Sequence, residues 1–144
     1  MKSFLDESTG YLTHITALLL KRELFEAIKK FKINITPEQW AILNRLNEHQ
    51  GLTQNEVAKI SFKDNANITR IIDRLEAKGL VERRANPKDR RIWKIYITDE
   101  GRKVRDLIEP LAIEVLKKAT KNIDSKEVKL YNEVAKRIVA NLER

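Results

Sequence analysis

The stretch Leu80–Gly101, LVERRANPKDRRIWKIYITDEG, limits the fold of this chain more than any other. Val81 stands on one side of it and Ile95, Tyr96 and Ile97 on the other, all residues that suit a half-buried strand. Asn86-Pro87 between them is a turn former, so the spacing predicts a two-stranded β-hairpin. Its tip, Asn86-Pro87-Lys88-Asp89-Arg90-Arg91, carries three cations and one anion. A small cationic hairpin suits insertion into a nucleic-acid groove, because a narrow minor groove concentrates negative potential. A solvated, charge-rich hairpin tip has the same composition, and the hairpin alone does not separate the two.

The residues before the hairpin narrow the choice. Thr53-Gln54-Asn55-Glu56 is a capping box, in which hydroxyl and carboxylate each satisfy the other residue's amide. A short helix follows through Val57, Ala58 and Ile60, and Ser61-Phe62-Lys63-Asp64 breaks it. A second helix is predicted from about Asn65 to Lys78, with Ile68, Ile71, Ile72 and Leu75 on one face at three- and four-residue spacing. Gly79 stands where a left-handed C-terminal cap belongs. Helix, turn, helix and hairpin make a winged helix-turn-helix, whose second helix is the element that would enter a major groove.

Two motifs now carry a resemblance. Residues 67–83, NITRIIDRLEAKGLVER, resemble the recognition helix of the MarR (multiple antibiotic resistance regulator) family of bacterial transcription factors. Asp89-Arg90-Arg91 followed by Ile97-Thr98-Asp99-Glu100-Gly101 resembles that family's wing motif, an Asp-x-Arg run leading to Leu-Thr-x-x-Gly, with Ile97 in place of leucine. The resemblance implies a mainly α fold with a small β-hairpin wing, flanked by N- and C-terminal dimerisation helices. It also implies a homodimeric repressor acting on double-stranded DNA at a pseudo-palindromic operator. The chain is expected to be one domain over 1–144. Within it, 36–101 form the DNA-binding lobe, and 1–35 and 102–144 form the dimerisation helices.

Helix N-terminal residues point toward bases in helix-turn-helix complexes. Asn65, Asn67, Thr69 and Arg70 are therefore the base-reading candidates, and Arg74 is expected to contact phosphate or pair with an acidic neighbour. In the wing, Arg90 is expected to enter the minor groove, with Asp89 orienting it or a nearby arginine. Lys88 and Arg91 would supply phosphate contacts.

Charge agrees. Of the chain's net +8, +6 lies in residues 63–105, which hold thirteen Lys and Arg against seven Asp and Glu. A localised basic field favours polyanions through counterion release. There is no cysteine, so the chain has no disulfide framework and no thiol with which to sense oxidants. Asp6 and Glu7 interrupt the N-terminus, and Lys21-Arg22 follow Leu18-Leu19-Leu20 at once, which excludes a signal-peptide core or a spanning helix there. No membrane partner is expected, and the cytoplasm is the expected compartment.

The two ends form a second apolar system. A helix is predicted over Leu12 to Phe31. Thr36-Pro37-Glu38-Gln39 opens the next with a cap, a first-position proline and a glutamine box partner, and Trp40, Leu43 and Leu46 form its core side. After the wing, Thr98 caps a helix with Val104, Leu107, Ile108, Leu111, Val115 and Leu116 in register, which Pro110 is expected to interrupt and kink. Asp124 with Glu127 is expected to cap a last helix carrying Val128, Tyr131, Val134, Ile138 and Leu142. Either these helices pack only on each other or, as the resemblance implies, they clasp a second copy.

Catalysis finds little support. The two histidines, His14 and His49, read as a packing or interface residue and a helix-end cation. There is no HExxH, no phosphate-binding glycine loop and no nucleophile motif, so no catalytic residue, metal or cofactor is expected. A protein-docking or RNA-binding winged helix is the remaining alternative. The resemblance further implies a cleft between the dimer helices and the DNA-binding lobe, where many relatives take phenolic or other aromatic anions. Tyr11, His14, Trp40, Arg45 and residues near Phe62 could line it, and each is equally explained as plain core or interface. A small aromatic or anionic effector is thus a candidate partner, with no ligand contact assigned.

Overall fold

The computed structural model describes residues 3–144. A 3-10 turn over Leu5–Glu7 leads into α1 (Thr9–Lys30), followed by α2 (Pro37–Glu48), β1 (Leu52–Thr53), α3 (Gln54–Ile60) and α4 (Asn65–Ala77). Strands β2 (Val81–Ala85) and β3 (Trp93–Ile97) then precede the long α5 (Asp99–Ala119) and the final α6 (Ser125–Leu142). The fold is mainly α with a small antiparallel sheet in the order β1-β3-β2.

Local chemistry explains most boundaries. Both expected capping boxes form: Thr36 with Gln39 opens α2 and Thr53 with Glu56 opens α3. Helix α1 starts at Thr9, three residues earlier than the apolar pattern indicates, because the Ser8 hydroxyl accepts the Tyr11 amide at 3.3 Å. Gly79, at φ +74°, follows α4 in the left-handed region that a side chain would resist. Its neighbours stitch the next helix down: the Leu80 carbonyl accepts the Thr98 amide at 3.1 Å, and the Gly79 carbonyl accepts the Thr98 hydroxyl at 2.7 Å.

The core sits where α2, α3, α4, the sheet and the middle of α5 meet. Ile42, Leu43 and Leu46 of α2, Val57 of α3, and Ile68, Ile72 and Leu75 of α4 are fully buried, and Ile95 and Ile108 close it. Ile28 anchors α1 to the same cluster. Trp40 is half-buried, and its indole N–H donates to the Arg105 carbonyl at 3.1 Å, tying α2 to α5.

Three expectations need correction. The hairpin is part of a three-stranded sheet, because Leu52 pairs with Ile95 and Thr53 with Lys94. A two-residue strand is too short to leave a periodic signal. Pro110 does not interrupt α5, which runs unbroken from Asp99 to Ala119. Proline removes one amide, and the bonds on both sides carry the helix through. The Asp124 carboxylate caps α6 through the Lys126 amide at 2.8 Å, without Glu127. Of the two packings left open for the terminal helices, the one in which they satisfy only each other is not realised, since α6 buries no residue and leaves Leu130, Tyr131, Val134, Ile138 and Leu142 exposed.

Candidate nucleic-acid interface

The start of α4 is built on Asp64. Its carboxylate accepts the Asn67 amide at 2.7 Å and the Asn67 side-chain NH2 at 3.1 Å. The Asn67 side-chain oxygen in turn accepts from the Arg70 guanidinium. A string of side chains, Asp64 to Asn67 to Arg70, therefore holds the Arg70 guanidinium along the exposed face of the first turns. Asn65, Asn67, Arg70 and Arg74 are exposed, and Thr69 is half-buried. The Thr69 hydroxyl donates to the Asn65 carbonyl at 2.8 Å and accepts from Gln54 Nε2 at 2.7 Å. Gln54, the first residue of α3, thus links the two helices, and no sequence signal marks it.

Arg74 joins no ion pair among the described residues. Burial first, and the charge of Arg74 second, hold the Lys78 ammonium below the usual lysine range. The acidic residues near Arg74 are already taken: Asp73 and Glu76 both bind Arg83 of β2. Arg83 is a second residue that was not singled out. The available signal was its parity, because it shares the strand face of Val81 and lies opposite Ile95.

The wing tip is ordered by its own polar groups. The Asn86 amide donates to the Ile92 carbonyl at 2.8 Å, and Asn86 Oδ1 accepts the Lys88 amide at 3.0 Å. Of the two options for Asp89, the structure realises the neighbouring arginine: its carboxylate accepts the Arg91 amide at 3.1 Å and Arg91 Nε at 3.2 Å. Those bonds from Arg91 hold the Asp89 carboxyl below its ordinary range. Arg90 and Lys88 are exposed, and among the described residues neither forms an ion pair. The arrangement offers cations and amide groups at a helix start, and further cations on a hairpin beside it.

The effector-cleft candidates do not come together within one chain. Arg45 and Phe62 line a cavity of about 570 Å³ with His49, Lys59 and the end of α6. Trp40 is committed to the core, and Tyr11 and His14 lie exposed on α1. Among the described residues no group of three or more acidic or histidine side chains could hold a metal, and no helix is long and apolar enough to cross a membrane.

The fold and this face define a winged helix-turn-helix protein. Comparison with known proteins makes the assignment narrower. The MarR family model matches residues 35–93. The repressor MdtR of Bacillus subtilis is 37% identical over 83 residues, which cover 57% of this chain and 52% of MdtR, so the match spans about half of that relative. The crystal structure of wild-type MarR from Escherichia coli is 28% identical and superposes with a TM-score of 0.77 over 91% of this chain and 96% of that one. The repressor CouR, solved on a 23-mer DNA duplex, shares the fold at a TM-score of 0.87 and 24% identity, over 96% of this chain and 98% of its own. Residues 35–93 thus match the MarR family, and most of the chain resembles the multiple antibiotic resistance protein MarR of Escherichia coli in sequence and in fold.

Proposed function

We propose that the chain is a sequence-specific, double-stranded DNA-binding transcriptional regulator, a homodimeric repressor on a pseudo-palindromic operator. The observation that carries this reading is the exposed start of α4 beside a hairpin whose Lys88 and Arg90 are exposed and unneutralised. Asn65, Asn67 and Arg70 read base edges in the major groove, Thr69 lends its methyl group, and Arg74 contacts phosphate. Arg90 enters the minor groove, Lys88 and Arg91 hold phosphates, and Asp89 fixes Arg91. Residues 36–101 serve as the DNA-binding lobe. Residues 1–35 and 102–144 clasp the second copy, which covers the α6 stripe of Tyr131, Val134 and Ile138.

On this reading the chain binds and does not catalyse, and it works beside the chromosome in the cytoplasm. A small aromatic or anionic effector is the ligand class we assign, and the Arg45–Phe62 cavity supports it by having both a cation and an aromatic ring among its lining residues. The test is selection from a random duplex library, followed by salt titration on the selected duplex and on duplex RNA. An inverted repeat should be enriched, with steep salt dependence on DNA. Arg90→Ala should then weaken binding by about 1–3 kcal/mol with an unchanged circular dichroism spectrum. No enrichment, or equal binding to RNA, would sink the proposal.

A further inference from the structure

Arg83 occupies an unusual place for an arginine. It lies in β2 on the inward parity, opposite the buried Ile95, so its side chain runs toward α4 and not toward solvent. Its guanidinium donates to Asp73 Oδ1 at 2.7 Å and to Glu76 Oε1 at 2.9 Å. Its amide donates to Glu76 Oε2 at 3.1 Å. Asp73 and Glu76 are three residues apart and share one face of α4. The Arg83 side chain is 20% exposed, whereas that of Arg91 at the wing tip is 90% exposed. The two pairs therefore differ in kind. At the tip it is the guanidinium that is open to water and ions, whereas Arg83 is mostly covered and reaches two solvent-facing carboxylates with three donors at once.

The position in the sheet adds to this. In the order β1-β3-β2, β2 is an edge strand, and the outward amide of Arg83 would otherwise stand open. Glu76 closes it, so one carboxylate of α4 holds both backbone and side chain of the hairpin root. A charge-assisted fork between planar groups fixes angle as well as distance.

We propose that Arg83 is a positioning residue for DNA recognition: by bridging Asp73 and Glu76 it sets the wing at a fixed distance and angle from α4. This rests on the reading that α4 and the wing engage duplex DNA, and it adds how the two are coupled. Arg70 and Arg90 then enter their grooves as parts of one rigid unit. A second, purely electrostatic account exists, in which Arg83 only masks two carboxylates from the phosphates. The two accounts make different predictions.

The experiment uses the full chain and the duplex obtained by selection. Affinities are measured for Arg83→Lys, for Arg83→Ala, and for Arg83→Ala combined with Asp73→Asn and Glu76→Gln. Arg83→Lys keeps the charge but loses the fork, so it should lose affinity about ten-fold. The triple variant has no carboxylates to mask, and under positioning it should stay as weak as Arg83→Ala. Its return to wild-type affinity would overturn positioning in favour of masking. Arg90→Ala should cost less in the Arg83→Ala background than alone, because a displaced wing has less to lose. Strict additivity would overturn the coupling.

A DNA-free measurement stands beside these. Hydrogen exchange at the amide of residue 83 should accelerate in Glu76→Gln and in Arg83→Lys, and unchanged exchange in both would overturn the clamp. If Arg83→Ala fails to fold, Arg83→Lys and the exchange measurement still decide. Arg70→Ala and Arg90→Ala are measured in parallel. If they weaken binding while the Arg83 variants do not, the clamp alone fails. If they too leave binding unchanged, the DNA-binding face is wrong and the clamp's role falls with it.

Discussion

Replacing Gly101 by alanine tests how the wing motif is held to α5. Gly101 is buried in the first turn of α5, and its amide donates to the Thr98 hydroxyl at 3.1 Å. A Cβ there would lie 2.1 Å from the Leu80 carbonyl oxygen and 2.7 Å from Ile97 Cγ1. A carbon and a carbonyl oxygen sit comfortably at about 3.3–3.6 Å, so the methyl demands more than about 1 Å of separation. The obstacle is backbone, and that same carbonyl accepts the Thr98 amide. Moving it disturbs two hydrogen bonds, those to Leu80 and Gly79, at about 1 kcal/mol each. Overpacking adds about 1–3 kcal/mol, and the helix preference of alanine returns about 1 kcal/mol. The net loss is about 2–4 kcal/mol, or a fall in the urea midpoint of about 1–2 M at a slope of about 2 kcal/mol per M. Gly10 provides the opposite case, because its added Cβ meets nothing closer than Ser8 Oγ at 3.8 Å. Gly10→Ala should stabilise by about 0.5–1 kcal/mol. Urea unfolding followed by circular dichroism, at one fixed protein concentration, reads both. A Gly101→Ala midpoint equal to or above wild type would refute the reasoning.

Two further predictions concern recognition. Arg70→Lys or Arg70→Gln should change the base preferred at one position of the selected duplex as well as the affinity, read by repeating the selection; a uniform loss on every sequence would make Arg70 a phosphate contact. If α6 joins two copies, a chain ending before Asp124 should sediment as a monomer or a weakened dimer and lose operator affinity. Inserting about 5 bp between half-sites about one turn apart should rotate one of them to the opposite face and lower the operator affinity of the intact protein. A monomeric truncation that binds the full operator as tightly as the whole chain would rule out the dimer mechanism.

Much of this arrangement was legible in the sequence because short-range chemistry dictates it. The boxes at Thr36 and Thr53, the stripe of Ile68, Ile72 and Leu75, and Gly79 after α4 each act within a few residues, and each appears as read. What could not be read depends on tertiary contact. Strand β1 exists only because Leu52 and Thr53 meet β3. Gln54 matters because α3 crosses α4 at Thr69, and Arg83 because β2 returns alongside Glu76. Pro110 points in the other direction, since a local rule about one missing amide suggested a break that α5 does not show. The wing tip lies between these cases. Its charge was plain, but the choice of Arg91 over Arg90 by Asp89 follows from the turn geometry that also directs the Arg91 amide to that carboxylate.

The stitch between Thr98 and the Gly79–Leu80 turn has a mechanical consequence. It fastens the first turn of α5 to the tail of α4 through two hydrogen bonds and a close backbone approach at Gly101. At 21 residues, α5 is a rod about 31 Å long. A rod of that length pivoting by about 5° at its far end sweeps its near end through roughly 3 Å, close to the 3.4 Å rise between successive bases. Because that near end is pinned to α4, the sweep is delivered to the helix and not absorbed in a loop. A change of a few degrees in the direction of α5 is therefore large enough, after this leverage, to carry α4 out of register by about one base step.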